Sequence, residues 1–338
     1  MTRAVVLAVC GVALAVVAGL LRQGAFAHAW LAATFTLLGW PLGSIALLLT
    51  HALTGGRWGE AVQVPLRLGV LGLPIALIAA VPLAFTLPAL YPWLHQDVAR
   101  DLQNTWYLNA PFFACRAAIY VIAWLGIAAL TLLAPLARIA PGCLIALALT
   151  TSFAAIDLTA SLDPTFSSSV YGMLSGTGMV LFALSVALLL ALPRAAGRAR
   201  DDLGKLLLAL CVLWAYLDFV QLIVVWSSNL EADAPWYAKR LAGFWGWSLG
   251  AMAALHAVLP ILILAIPRFR RNDKLVMALA ALLVLSGVLR SWWLVLPEAG
   301  RTPGLADIAC MLGLLMAAFG LAVLTRRLPA LLRRPVHA

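Results

Sequence analysis

Charge is what this chain has least of. Only 11% of its 338 residues are Asp, Glu, Lys or Arg, with 13 acidic side chains in all. Against this, 64% are hydrophobic and the mean hydropathy is +1.01. A soluble domain is roughly a quarter charged, so the composition excludes a water-soluble globular class and reads as an all-α polytopic membrane protein. Cysteine is sparse: Cys10, Cys115, Cys143, Cys211 and Cys310 lie far apart within apolar runs. No C-x-x-C, C-x-x-C-H or iron–sulfur spacing occurs, so the sequence encodes neither a covalent haem nor a cluster. The cysteines read as small core residues. There is no H-E-x-x-H, no Walker loop and no G-x-G-x-x-G opening a helix in a soluble fold. The net charge of +10 is dispersed between apolar runs rather than gathered on one face. It is a topology signal and not a nucleic-acid footprint.

What is present is a series of ten apolar stretches, each near the roughly 20 residues that cross a bilayer. They fall near 4–21, 29–50, 66–87, 110–133, 142–160, 172–192, 204–226, 243–266, 275–297 and 305–325. The first has signal-peptide features, Arg3 before the apolar run and Ala25-Phe26-Ala27 after it, but its length favours an uncleaved helix. Of the 23 Lys and Arg residues, 16 fall at the termini and in the connections after helices 2, 4, 6 and 8. They include Arg268, Arg270, Arg271 and Lys274, and Arg326, Arg327, Arg333 and Arg334. The positive-inside rule then places both termini in the cytoplasm, which in a Gram-negative host makes the connections after helices 3, 5, 7 and 9 periplasmic.

On that topology Arg116, Asp157, Asp218, Arg290 and Asp307 all lie in the outer half of their helices. Such a one-sided polar cluster suits a site that exchanges protons or a polar head group with the outer face; snorkelling ends or local ion pairs are the plainer reading. Arg116 and Asp157 differ in depth by roughly 5 Å at 1.5 Å per residue, so they are expected to face one another, with Tyr107 or Tyr171 nearby. Asp218 and Arg290 lie at a common depth and are expected to pair, because an unpaired arginine there is costly. The hinge between helices 5 and 6 reads Ser161-Leu162-Asp163-Pro164, then three serines, then Tyr171-Gly172. Its Asp-Pro step marks a break, and Asp157 just before it is either a site residue or a helix cap. His28, His51 and His256 share no depth on facing helices, which excludes a bis-histidine haem; His256 reads as a hydrogen-bonded core histidine. The echo between Gly39-Trp40-Pro41-Leu42-Gly43 and Gly246-Trp247-Ser248-Leu249-Gly250 fits two related bundles or merely close helix packing.

Several stretches together resemble one family, the NrfD-like quinone-interacting membrane subunits. The carriers are Asp157 with Ser161-Leu162-Asp163-Pro164 and Tyr171-Gly172; His51-Ala52-Leu53-Thr54-Gly55 with Trp58; and Tyr107-Leu108-Asn109-Ala110-Pro111-Phe112-Phe113 with Arg116. Further on come Asp202-Leu203-Gly204-Lys205, Trp214-Ala215-Tyr216, Phe219, Gln221, Trp226, Asn229, Pro235-Trp236-Tyr237 and Arg240. In order and content these are most similar to the F subunit of alternative complex III, a bacterial quinol:electron-acceptor oxidoreductase, across helices 2 to 8. Departures are Leu158 in place of a tryptophan, Thr165-Phe166 in place of His-Trp, Arg290 in place of an acid, and Asp218 in place of a small residue.

The resemblance implies a single membrane domain over residues 1–338: helices 2–5 and 6–9 as two four-helix bundles, flanked by helices 1 and 10. It implies a place in a bacterial inner membrane beside a second NrfD-like subunit, a periplasmic iron–sulfur subunit and c-type haem subunits. It implies no redox centre of the chain's own, but a quinone pocket for ubiquinone or menaquinone, or a proton path, near the periplasmic face. The candidate residues for the quinone or proton site are Asp157, Arg116, Tyr171, Tyr107, Asp163, His51, Tyr216 and Gln221, with Asp218 and Arg290 added on their intramembrane charge and not on the resemblance. The competing reading is a secondary transporter or a scaffold subunit, which ten helices and buried charge also describe; no clear inverted repeat and no interrupted helix pair at the midplane is legible in its favour.

Overall fold

The computed structural model describes residues 2–21, 23–100, 102, 104–194, 197–227 and 233–325. Asn229 and the arginines of the C-terminal tail lie outside them. Ten helices follow the ten apolar stretches. They are α1 (Thr2–Leu21), α2 (Gln23–Thr54), α3 (Arg57–Leu90), α4 (Ala110–Leu133) and α5 (Leu136–Leu158). Then come α6 (Tyr171–Ala191), α7 (Gly197–Ser227), α8 (Gly243–Ala265), α9 (Asp273–Val295) and α10 (Leu305–Thr325). Among the described residues nine of these are long and apolar enough to span a bilayer, with a shorter apolar segment, Val5–Val17, inside α1. The chain is thus an all-α multi-pass membrane protein.

Local chemistry sets the boundaries. Asn109 accepts the Phe112 amide and Asn272 the Leu275 amide, so α4 and α9 begin on side-chain caps. The longest departure from the apolar pattern is α3, which starts nine residues before its apolar stretch. Its first turns carry Glu60, Gln63 and Arg67, and Arg67 is buried. This helix is broken at Gly72, where Pro74 cannot donate to the ladder. In α8, residues Ala253–Val258 open into a π-helical turn around His256, a distortion that concentrates at functional sites.

The core is organised around α2, whose spanning window is 94% buried. It packs on α3, α5, α6, α9 and α10, while α6 also meets α7 and α9. Helices α1 and α10 pack chiefly against one another; a side chain on Gly11 would strike the Gly313 carbonyl at 2.5 Å. Where α2 crosses α6, a Cβ on Gly43 would lie 2.1 Å from the Met179 carbonyl oxygen, so only glycine permits that approach. Gly246, its counterpart in the sequence echo, instead abuts the Leu241 carbonyl just before its own helix. The two pentapeptides therefore do different work.

Candidate functional site

An ion-pair cluster, a polar pocket and a chain of charges gather at the hinge face, the end of the bundle where α5 turns into α6. On α4 and α5, Arg116 and Asp157 form a two-point ion pair: Nε donates to Oδ2 at 2.8 Å and Nη2 to Oδ1 at 2.9 Å. The remaining Arg116 nitrogen, Nη1, donates to the Tyr107 carbonyl at 2.9 Å. One turn along α4, Tyr120 donates its hydroxyl to Asp157 Oδ2 at 2.7 Å. The guanidinium lies over the Tyr107 ring at 3.8 Å and the Phe112 ring at 4.5 Å, a stacked arrangement that favours the cation. Burial and the neighbouring Asp157 carboxylate push the Tyr107 hydroxyl well above the usual tyrosine pKa, so it stays protonated. This cluster fixes the loop before α4 against the end of α5.

Beside it opens a pocket of about 800 Å³. Tyr107, Tyr171, Gln221 and Asp233 supply its polar or aromatic wall, and Asp163 and the serines 167–169 its rim. Tyr171 is buried and bonds Thr159 at 2.7 Å. Because the Thr159 hydroxyl gives its hydrogen to the Ala155 carbonyl, Tyr171 is the donor of that pair. Gln221 accepts from Ser168 Oγ at 3.3 Å and donates to the Tyr237 hydroxyl at 3.2 Å. Burial pushes the Tyr237 phenol up to about 12. Asp233 receives the Ser167 amide at 2.9 Å, and no ion pair to it occurs among the described residues.

The rim is strapped by a chain of charges. Lys239 lies 3.0 Å from Asp163 and 2.8 Å from Glu298, and Glu298 is 2.8 Å from Arg240. Arg240 is fully buried, lies 3.7 Å over the Trp236 ring, and donates to the carbonyls of Trp236, Trp293 and Leu294. Burial alone would raise the Asp163 pKa, but hydrogen bonds from Thr165 and Lys239 bring it below its ordinary value of 3.8.

Next to the pocket a second, largely apolar space of about 360 Å³ lies between α5, α6 and α7, with Leu42, Gly43 and Ala46 of α2 on its wall. On each helix the pocket and the groove use neighbouring turns. Ile156 lines the pocket and Ser152 the groove on α5, Tyr171 and Gly172 do so on α6, and Gln221 and Leu217 on α7. The groove continues down to Leu144, Val180 and Leu210, about two helical turns or ~11 Å further into the bundle.

The other sequence-expected residues fall elsewhere. Asp218 and Arg290 do meet, Nη2 to Oδ1 at 2.6 Å, between α7 and α9. His51 is at the opposite end of α2, bonded to the Gly56 carbonyl at 2.9 Å and edge-on to Trp58; it closes the α2–α3 turn and belongs to no hinge-face feature. Tyr216 points outward and is 61% exposed. Asp307 accepts both guanidinium nitrogens of Arg301 and the Gly304 amide, capping α10. Tyr120, Asp233 and the Lys239–Glu298 strap were not singled out from sequence. Tyr120 had a legible signal, its i,i+4 spacing from Arg116 on a helix face; Asp233, in a loop, had none. No protein-family model matches the chain, and no curated protein matches it.

Proposed function

We propose that the chain is a membrane subunit of a quinol-oxidising electron-transport complex, with the hinge-face pocket taking the quinone head group at the periplasmic side. The observation that supports this most is the adjacency of a polar pocket and an apolar groove on neighbouring turns of α5, α6 and α7. A polar head on a long isoprenoid tail needs that pairing of surfaces, and a compact hydrophilic solute does not. Gln221, the Ser168 hydroxyl and the protonated Tyr107 would hold the oxygens of the ring. A bound quinol supplies electrons together with protons, and this chain's residues divide the rest of the task. Asp157 is saturated by Arg116 and Tyr120, so it acts by positioning Arg116 and the Tyr107 loop rather than by taking a proton. Asp163 is held charged by Lys239. Asp233, with one hydrogen bond and no ion pair among the described residues, is the carboxylate best placed to accept a proton from the pocket.

The partners that fit this reading are a second NrfD-like subunit, a periplasmic iron–sulfur subunit and c-type haem subunits, in a bacterial inner membrane with both termini cytoplasmic. Mild-detergent purification of the full chain from its own membranes tests it. The expected result is co-purification of haem c, iron and an extractable quinone. A chain that purifies free of all three overturns the reading and favours the transporter alternative, to which the π-helical break in α8 lends itself. Asp233→Asn is expected to lower quinol turnover at least tenfold with the complex intact, and unchanged turnover removes Asp233 from the chemistry.

A further inference from the structure

A separate cavity of about 60 Å³ lies inside the second half of the bundle, where α2, α6, α7, α8 and α9 meet. Most of its wall is apolar, with the hydroxyls of Thr36, Tyr171, Ser175 and Ser291 on it, and two nitrogen-bearing polar side chains line it: His256, 4% exposed, and Arg290, 9% exposed. His256 Nε2 and Arg290 Nη1 are both buried and have no hydrogen-bond partner among the described residues. Their chemistry is complementary. The Ser286 hydroxyl reaches the Leu283 carbonyl at 3.2 Å; with its hydrogen given there, the 2.5 Å contact between Ser286 Oγ and His256 Nδ1 uses the hydrogen on Nδ1. That tautomer leaves Nε2 with a lone pair, an acceptor, while Arg290 Nη1 is a donor. Buried groups of this kind are found partnered, by water if not by protein. About 10–15 Å³ accommodates one water molecule, and a water needs polar partners of both kinds. The π-helical turn at Ala253–Val258 carries His256 into this space, against the Trp214 ring at 4.2 Å between centroids.

We propose that this cavity is a built water site in which a water donates to His256 Nε2 and accepts from Arg290 Nη1. Further water has room beside it, within reach of the hydroxyls of Thr36, Ser175 and Ser291. Tyr171 lines both this chamber and the hinge-face pocket. The inference stands on the cavity and its two side chains alone and does not depend on the quinone reading.

A high-resolution structure of the full chain in a lipid nanodisc tests it. The expected result is density for a water within hydrogen-bonding distance of both Nε2 and Nη1; an empty cavity, or one filled by a lipid tail, overturns the proposal. Infrared spectra in H2O and D2O give a second readout, with an O–H band of a strongly bonded internal water expected in the parent and lost in His256→Leu. Should that variant fail to fold, ¹⁵N spectra of the parent decide the matter. A shifted, hydrogen-bonded Nε2 acceptor supports the site, and the opposite tautomer with Nε2 protonated contradicts it.

Discussion

Two arginine–aspartate pairs join helices inside this bundle, one buried and one half-buried, and they are built to opposite specifications. In the first half, every nitrogen of the Arg116 guanidinium has a partner, Asp157 receives three hydrogen bonds, and an aromatic ring lies under the cation. In the second half, Arg290 reaches Asp218 through one nitrogen, rests on Trp293 at 4.5 Å, and leaves Nη1 facing a cavity. Burying a charge is tolerated only when its bonding capacity is met. A fully satisfied pair is therefore a strut, and a pair with capacity left over points to something else that completes it. The intramembrane charge most prominent in the sequence, Asp157, is on this account the less reactive of the hinge-face carboxylates.

The largest effect is expected where saturation is greatest. Arg116→Ala strands a buried Asp157 and should cost about 3–5 kcal/mol in stability, read as a fall in the thermal midpoint of detergent-purified protein. Replacing both partners with Met and Leu of similar volume should recover most of it. A silent Arg116→Ala would dissolve the comparison from the first side.

Arg290→Ala should cost less, about 1.5–3 kcal/mol, the value of hydrogen bonds to a charged group, because Asp218 is 22% exposed and can be wetted. The charge-exchanged double variant, Asp218→Arg with Arg290→Asp, should restore part of the loss. A penalty as large as that of Arg116→Ala would mean the second pair is as closed as the first.

The smallest effect belongs to the strap on the rim. Lys239 is 44% exposed, so Lys239→Met should change stability by no more than about 1 kcal/mol. Its pH signature is sharper. The Asp163 pKa is below 3.8 in the folded chain, so its contribution is present above 3.8 and lost as pH falls through the folded value. Burial tends to lower the Lys239 pKa, but Glu298 and Asp163 raise it above 10.5. That contribution is full below 10.5 and lost as pH rises through the higher folded value. Melting curves of the parent should weaken at both edges, and the Lys239→Met variant should be flatter at each.

Much of this architecture is legible in the chain because a bilayer demands long apolar runs. Residues 110–133 and 305–325 coincide with α4 and α10, since a capping asparagine or a Pro-Gly turn stands at the start of each. The start of α3 is not legible: its first turns are amphipathic, and their polar residues interrupt the apolar count while packing inside the protein. Pair depth follows from helical rise, which is why both arginine–aspartate contacts were foreseeable; how completely each pair is satisfied depends on neighbours such as Tyr120 and the Tyr107 carbonyl, which only tertiary structure supplies. His256 reads correctly as bonded, through Ser286, yet the cavity at its other nitrogen exists because α8 locally becomes a π-helix. Asp233 enters the site from a loop, where no periodicity announces it.

The proposed head-and-tail quinone site is tested most directly by plugging the groove without touching the pocket. Gly176 lines the groove, and a Cβ there would meet nothing within 4 Å, so Gly176→Phe adds a ring to open space. Quinone binding to the full chain in nanodiscs, measured for the parent, Gly176→Phe and Gln221→Leu, supplies the comparison. The account predicts unchanged thermal stability for Gly176→Phe with at least a tenfold loss of affinity for a long-tailed quinone and little loss for a tailless analogue. Gln221→Leu should weaken both ligands alike. Equal affinity of the parent and Gly176→Phe for the long-tailed quinone would contradict it.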